Sequence, residues 1–414
     1  MNEKKLTKSE ISWILYDVAN SSFILIVTAT IPIYFRSLAS NAGVENYATS
    51  LWGSVTSISV LILAILSPIL GALADYQHMK KRIFSVFLIL GILAAVCFTF
   101  TTNWLAFLIF FVFARIGYAA CNILYDAMLV DVTTDDRMDK VSTHGYAWGY
   151  IGSCIPFIVG IIIIFTKPFG ISTTAATQIS FLITIVWWMI MSIPLFKNVK
   201  QNYFLPSRKD FVSHSFQRLG NTFQKMKKEK ALFYYIIGYF FYIDGVYTII
   251  SMATTYGGEV GINDTSMILA LLLTQFVAFP CAIFSGKLAS KFGAVKMIKI
   301  FIMMYMVICI FGFQLDQEWE FWVLAIAVGM CQGGIQALSR STYGRMIPKN
   351  ESSEYFGFFD IFGKFADFFG PLILALCSLF FKSSKYGVLA LVFLFILGLY
   401  FLIKSEKLLD KGAI

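Results

Sequence analysis

Gly71-Ala72-Leu73-Ala74-Asp75-Tyr76-Gln77-His78-Met79-Lys80-Lys81-Arg82 is the stretch that decides the fold. Apolar runs flank it at 50–74 and 83–101, and each is long enough to cross a bilayer, which takes ~20 helical residues. Gly71 lets its helix approach a neighbour closely. Asp75 can accept hydrogen bonds from a basic side chain or from a helix N-terminus. Lys80, Lys81 and Arg82 hold the turn at a charged face. A chain that leaves hydrocarbon, turns on charges and re-enters at once belongs to a multi-span membrane protein.

Working outward, the same alternation covers the whole chain. Apolar spans are expected at 11–35, 50–74, 83–101, 104–130, 141–165, 176–196, 231–256, 264–286, 297–315, 319–343, 353–381 and 386–403. Only 14% of residues are charged, against ~25% in soluble domains, so the bilayer is the solvent. Twelve spans and short loops leave no room for a separate soluble catalytic domain. Residues 1–10 are polar and carry no cleavable signal pattern, so the first span is expected to be retained. The seven cysteines lie in apolar stretches without CxxC spacing and read as reduced packing residues. The three histidines sit in or beside loops and form no ligand cluster, so no metal and no cofactor is expected.

The net charge of +9 is not a nucleic-acid signature, because most Lys and Arg fall in alternate loops. The intervening loops hold Glu45, Glu259, Asp264, Asp316, Glu318 and Glu320 instead. This is the positive-inside bias, and it puts both termini in the cytoplasm. The longest connection, 197–230, is rich in Lys and Arg. It is expected to be a cytoplasmic linker, with a short amphipathic helix near 216–228 on anionic lipid. It divides the chain into six-span bundles at 1–196 and 231–414. The halves share punctuation. Gly71-Ala-Leu-Ala-Asp75 and a basic run follow span two, and Gly286-Lys-Leu-Ala-Ser290 and a basic run follow span eight. Pro156 and Pro371 stand in the same register of spans five and eleven. The expected fold class is an all-α membrane protein of twelve transmembrane helices in two pseudo-symmetric six-helix bundles.

Charges inside the spans mark the candidate site. An ionised side chain at bilayer depth costs ~2.5–3.5 kcal/mol on insertion scales, so it must face protein or water. Spans one, four, seven, ten and eleven carry such charges, whereas three, six and twelve do not. In span one, Asp17 and Asn20 share a helix face. Asp17 is either a substrate or proton site, or a structural gate contact. Arg115, Asn122 and Asp126 form one stripe in span four, and Arg115 needs Asp17, Asp126 or a substrate as its anion. Asp131, Asp135, Asp136 and Asp139 follow in a loop and are expected to be solvated. Asp244 lies midway along span seven; it is either a proton acceptor or a hydrogen-bonded lock on a broken helix. Gln332, Gln336 and Arg340 make one stripe in span ten, with Arg340 aimed at a gate or substrate and Arg345 at the interface. In span eleven Asp360, Lys364 and Asp367 share a face and can neutralise one another. Gly357–Lys364 is not a phosphate loop, because its glycine spacing is too long and Phe365 stands where Ser or Thr would hold magnesium.

These tracts resemble a known family. The 71–82 stretch is similar to the signature loop of the major facilitator superfamily, with Tyr76 at the usual Arg and His78 at the usual Gly. Ser12-Trp13-Ile-Leu-Tyr16-Asp17-Val-Ala19-Asn20-Ser21, Pro32-Ile-Tyr34-Phe35, Gly333-Gly-Ile-Gln336-Ala-Leu-Ser-Arg340-Ser with Ile347-Pro348, and Tyr355-Phe-Gly-Phe with Gly363-Lys364 and Gly370-Pro371 resemble the "unidentified major facilitator" branch related to fungal vacuolar effluxers. The resemblance implies a facilitator with a binding site between its halves, and its fungal members imply amino-acid export. The resulting expectation is a secondary transporter in the cell membrane, working by alternating access. It is expected to be a monomer that meets a small-molecule solute, membrane lipids and protons as coupling ion, and no nucleic acid. Asp17, Asn20, Arg115, Asn122, Asp126, Asp244, Gln332, Gln336 and Arg340 are the candidate substrate or coupling residues. Gly71, Asp75, Lys80, Lys81, Arg82, Asp360, Lys364 and Asp367 are structural or gating candidates. The alternatives are export of a lipid or lipophilic drug-like compound, and a non-transporting receptor. A membrane hydrolase would need a nucleophile–base pair or a mid-membrane His, and the spans contain neither.

Overall fold

The computed structural model describes residues 5–208 and 210–412, without the side chains of 49, 264, 366–368, 411 and 412. In chain order the helices are α1 (Lys8–Ala29), α2 (Ile31–Asn41), α3 (Ala48–Ala74), α4 (Met79–Phe100), α5 (Trp104–Ala127), α6 (Leu129–Val132), α7 (Met138–Thr166) and α8 (Thr173–Asn198). Then follow α9 (Phe211–Lys228), α10 (Lys230–Val260), α11 (Asp264–Phe292), α12 (Ala294–Phe313), α13 (Glu318–Met346), α14 (Ser352–Phe381) and α15 (Lys385–Gly412). Among the described residues, 12 helices are long and apolar enough to cross a membrane: all but α2, α6 and α9. The only β pairing among them is an isolated bridge, Tyr76 with Leu205.

Local chemistry sets the helix ends. Thr7 and Glu10 form a reciprocal capping box at the start of α1, with Glu10 N donating to Thr7 Oγ1 at 3.2 Å and Thr7 N to Glu10 Oε2 at 2.7 Å. Asn103, Ser172 and Asn263 accept first-turn amides of α5, α8 and α11. Gly261 and Gly293 end α10 and α11 in positive-φ conformations, +93° and +91°. The first span departs from the expected 11–35. It breaks at Thr30, because Pro32 near the start of α2 has no N–H for the helical ladder and its ring crowds the preceding turn.

His78, just before α4, has φ of +65° and is exposed. This left-handed geometry explains why glycine is usual at that place in the signature loop.

Contacts divide the described chain into two compact units. The first comprises residues up to Thr133, with Trp148–Ser215 and Asn350–Gly357; the second comprises Thr134–Ala147, Phe216–Lys349 and the chain from Phe358 onward. In the first unit, α1 packs on α8, and α5 on both α3 and α4. In the second, α10 packs on α15, and α13 on both α11 and α12. The pairing of first with sixth span, and of fourth with second and third, is therefore the same in both halves. Two six-helix repeats account for this pattern.

Close approach is built with glycine. A methyl group on Gly117 would sit 2.5 Å from the Gly91 Cα, where α5 crosses α4. The opposite face of α4 is apolar and uncovered: Val86, Ile89 and Leu93 are 57–63% exposed, while Phe84, Leu88, Ala95 and Phe98 are buried. In water such a stripe would be a liability; in a bilayer it is the lipid face.

Gly117→Val is therefore expected to destabilise the protein by ~1–3 kcal/mol through overpacking, read as a lower thermal unfolding midpoint. Gly53→Val, with open space at its Cβ, serves as the near-neutral control. His78→Gly is expected to raise the midpoint, by up to ~1 kcal/mol of relieved backbone strain.

Candidate functional site

The signature loop grips the start of α14. Asp75 Oδ1 accepts the Ser353 amide at 2.8 Å and Oδ2 the Glu354 amide at 3.2 Å. These are first-turn N–H groups with no partner inside their own helix, and they lie at the positive end of its dipole. Gly71 makes the approach possible, since a Cβ there would fall 2.1 Å from the Ser353 carbonyl oxygen. Beside it, the Lys80 ammonium donates to Asp131 Oδ2 at 2.7 Å and Ser352 Oγ at 3.1 Å. Both side chains of this ion pair are essentially inaccessible. The other Asp131 oxygen accepts the Asn202 and Tyr203 amides at 2.8 and 2.9 Å. Leu205 N donates to the Asp75 carbonyl at 2.8 Å, so the segment after α8 is stitched to the same loop.

Asp131 therefore departs from the solvated loop residue expected. Its charge is matched by Lys80 and two amides, which is what burial demands. Asp139 departs in the same way: Arg345 Nη1 donates to its Oδ1 at 2.8 Å, and Ser341 Oγ bonds it as well. Asp135 meets Lys349 at 3.0 Å at the surface. Lys81 donates to the Phe196 and Val199 carbonyls at 2.6 and 2.7 Å and closes the end of α8, whereas Arg82 is exposed.

Among the span-one and span-four candidates, Asp17 is buried and its Oδ2 accepts the Tyr125 hydroxyl at 2.8 Å. The Trp13 ring stacks on Tyr125 at 4.4 Å, and its Nε1 donates to the Tyr125 carbonyl at 2.8 Å. Asn20 is buried on the same helix, and its Oδ1 bonds Ser21 at 3.4 Å. Arg115 and Asp126 are half-buried, with the Arg115 guanidinium 5.9 Å from the Phe111 ring centre. Asn122 Oδ1 is buried with no hydrogen bond among the described residues.

The second unit repeats this plan. Tyr235 OH on α10 donates to the Ser339 carbonyl on α13 at 2.8 Å, and Tyr242 OH meets Ser339 Oγ at 2.6 Å. Asp244 is fully buried and its Oδ1 accepts the Gly370 amide at 2.8 Å. Pro371, the next residue, has no N–H of its own and stands inside the continuous helix α14. A Cβ on Gly370 would collide with Thr248 Oγ1 and approach Asp244 Oδ1 to 2.8 Å. In the first unit a Cβ on Gly149 would meet Ser21 Oγ at 2.8 Å and Asp17 Oδ1 at 3.2 Å. Each half thus opens with an Asp, a hydroxyl residue four positions on, and a glycine of its fifth span against both. The two Asp–x–x–x–Ser/Thr spacings were visible in the sequence; their glycine partners were not.

Within the second unit a mostly apolar cavity of about 110 Å³ is lined by Thr248, Tyr256, Gln275, Val328, Gln332 and Leu374, among others. Thr248 Oγ1 and Gln332 Nε2 are buried without a partner among the described residues. Gln336 is half-buried one turn along α13. Arg340 is buried and engages the start of α7: Nε donates to Ser142 Oγ at 3.0 Å, Nη2 to the Ser142 carbonyl at 3.1 Å, and the guanidinium lies 4.5 Å from the Tyr146 ring centre. These contacts tie α13 to the start of α7. Asp360 and Lys364 form an ion pair within α14, the self-neutralising arrangement. The Asp367 side chain lies outside the described residues.

Two substitutions read these contacts. Lys80→Met strands a buried carboxylate and is expected to cost ~3–5 kcal/mol, seen as a large drop in the unfolding midpoint. Arg82→Met on the exposed side of the loop is expected to change stability by no more than ~0.5 kcal/mol.

The comparisons with known proteins agree with this geometry. The sequence matches the family described as "Vacuole effluxer Atg22 like" over residues 6–136 and 131–408. It is 42% identical over 406 residues to an uncharacterized MFS-type transporter, YxiO, of Bacillus subtilis, covering 96% of this chain and 95% of that protein. Autophagy-related protein 22 of Yarrowia lipolytica is 25% identical over 65% of this chain and 51% of its own length. Among solved structures, the E. coli major facilitator superfamily transporter FucP in the outward conformation superposes with a TM-score of 0.73 at 13% identity, over 96% of this chain and 98% of its own. These relatives are transporters, not enzymes. Signature loop, repeated six-helix packing and family match converge: the chain belongs to the Atg22-like effluxer family, within the major facilitator superfamily.

Proposed function

We propose that this chain is a secondary active transporter of the cell membrane, with both termini cytoplasmic, that moves a small zwitterion such as an amino acid by alternating access. The observation that carries the proposal is the repeated buried carboxylate, Asp17 and Asp244, each set against a hydroxyl and a glycine. A structural protein has little need to keep two anions at bilayer depth, where each is costly. Within the second unit, the buried donor Gln332 Nε2, which lacks a hydrogen bond among the described residues, matches a carboxylate oxygen. Protonation of Asp244 would weaken a charge-assisted bond to the Gly370 amide and loosen the hold of α10 on α14. A proton is thereby linked to a conformational element, which is what coupling requires.

The apolar lining of the 110 Å³ cavity favours a second reading, export of a lipid or lipophilic drug-like compound. Flux into and out of proteoliposomes under an imposed pH gradient separates the two, using a panel of amino acids, lipids and lipophilic cations. The proposal expects amino acids to accumulate against their gradient and the lipophilic panel to show no protein-dependent flux. Asp244→Asn retains an acceptor for Gly370 but cannot titrate. It is expected to lose at least ~90% of pH-driven accumulation while keeping solute exchange at zero gradient. Undiminished accumulation by the variant would reject coupling through Asp244, and flux of lipophilic compounds alone would reject the zwitterion.

A further inference from the structure

The helix α9 is not used by any step above, yet its placement is specific. Two residues after it ends at Lys228, the chain enters the span α10 at Lys230, so its C-terminal end lies at the membrane surface. Its N-terminal end is tied to the signature loop, which is also a span end. Ser215 Oγ donates to the Ala72 carbonyl at 3.4 Å, and His214 Nδ1 shares a 2.6 Å hydrogen bond with the Tyr76 hydroxyl. A helix held at interfacial depth at both ends runs along the bilayer surface, ~27 Å for 18 residues.

The side chains divide around α9 in three stripes. Ser215, Arg218, Thr222 and Met226 are buried and hold the helix to the protein. Val212, Phe216 and Phe223 follow helical spacing on an adjacent face, and remain 47%, 54% and 46% exposed. Lys225, Lys227 and Lys228 are exposed at its C-terminal end, followed by exposed Glu229 and Lys230. Within α9 itself there is no acidic residue. Asp210, just before it, pairs with Arg208 at 3.0 Å.

We propose that α9 is a binding surface for anionic phospholipid. Its apolar stripe enters the headgroup–acyl boundary while the lysines bind headgroup phosphates. Two features commit the surface to lipid and not to a soluble partner. It lies at the depth where headgroups are found, and an apolar stripe beside lysines is the pattern that anionic membranes bind. Because its first turn grips Ala72 and Tyr76, lipid held on α9 bears directly on the loop that carries Asp75. The membrane's charge then acts on the grip between that loop and the start of α14.

Hydrogen exchange of the full chain tests this, in nanodiscs of phosphatidylcholine alone and of phosphatidylcholine with about one-third phosphatidylglycerol. Amides of 213–228 are expected to exchange about fivefold or more slowly in the anionic discs. The difference should shrink at high salt. It should also disappear in Lys225→Gln/Lys227→Gln/Lys228→Gln and in Phe216→Ser/Phe223→Ser. Peptides from α5 report whether each variant is folded, and the salt dependence of the unaltered protein tests the proposal without any variant. Equal exchange in both discs would overturn it. So would protection produced by inorganic phosphate in phosphatidylcholine discs, because the ligand would then be the free ion.

Discussion

Hydrocarbon cannot solvate a charge, so each ionised side chain in the spans of this protein has to be answered by protein groups or by water. The consequence is clearest at the signature loop. Asp75 is answered by two amides of α14, and Lys80 by Asp131, Ser352 and a backbone carbonyl. Removing one partner leaves the other stranded, which is far more destabilising than losing a surface ion pair. Such contacts are also directional. They hold only while the first turn of α14 stays against Gly71, and a small shift of that turn releases several bonds together.

The two halves solve the same problem twice. In each, an aromatic residue of the first span donates to a main-chain carbonyl of the fourth, Trp13 to Tyr125 and Tyr235 to Ser339. In each, an aspartate and a hydroxyl of the first span face a glycine of the fifth. The repeats differ where function would separate them. Asp17 is held by a tyrosine side chain, whereas Asp244 is held by a backbone amide beside a proline. The second arrangement ties a buried carboxylate of α10 to the main chain of α14 next to Pro371.

Much of this was legible in the chain, because bilayer thickness imposes a length on every span and lipid imposes a composition. The spans, the basic loops and the signature tract all follow from local sequence. So did the helix in the linker, although it begins at Phe211 instead of near 216. What could not be read was pairing across distance. Asp131 looked like a loop acid because the tract around it is acidic; its partners lie at Lys80 and at residues 202–203. The partner of Asp75 lies beyond residue 350, and nothing local to the loop indicates it. His78 illustrates the opposite case. Its departure from the usual glycine was visible, and only its φ of +65° explains why glycine is usual there.

The alternating access proposed above requires that the grip of Asp75 on the start of α14 open and close. Electron–electron distance measurement tests it most directly, with spin labels on the exposed positions Gln77 and Asn350 of the full chain in nanodiscs. The account predicts two distance populations, a short one matching this structure and a longer one, whose ratio moves with pH. One narrow short-distance population, unchanged across pH and on addition of every solute that the protein transports, would contradict it.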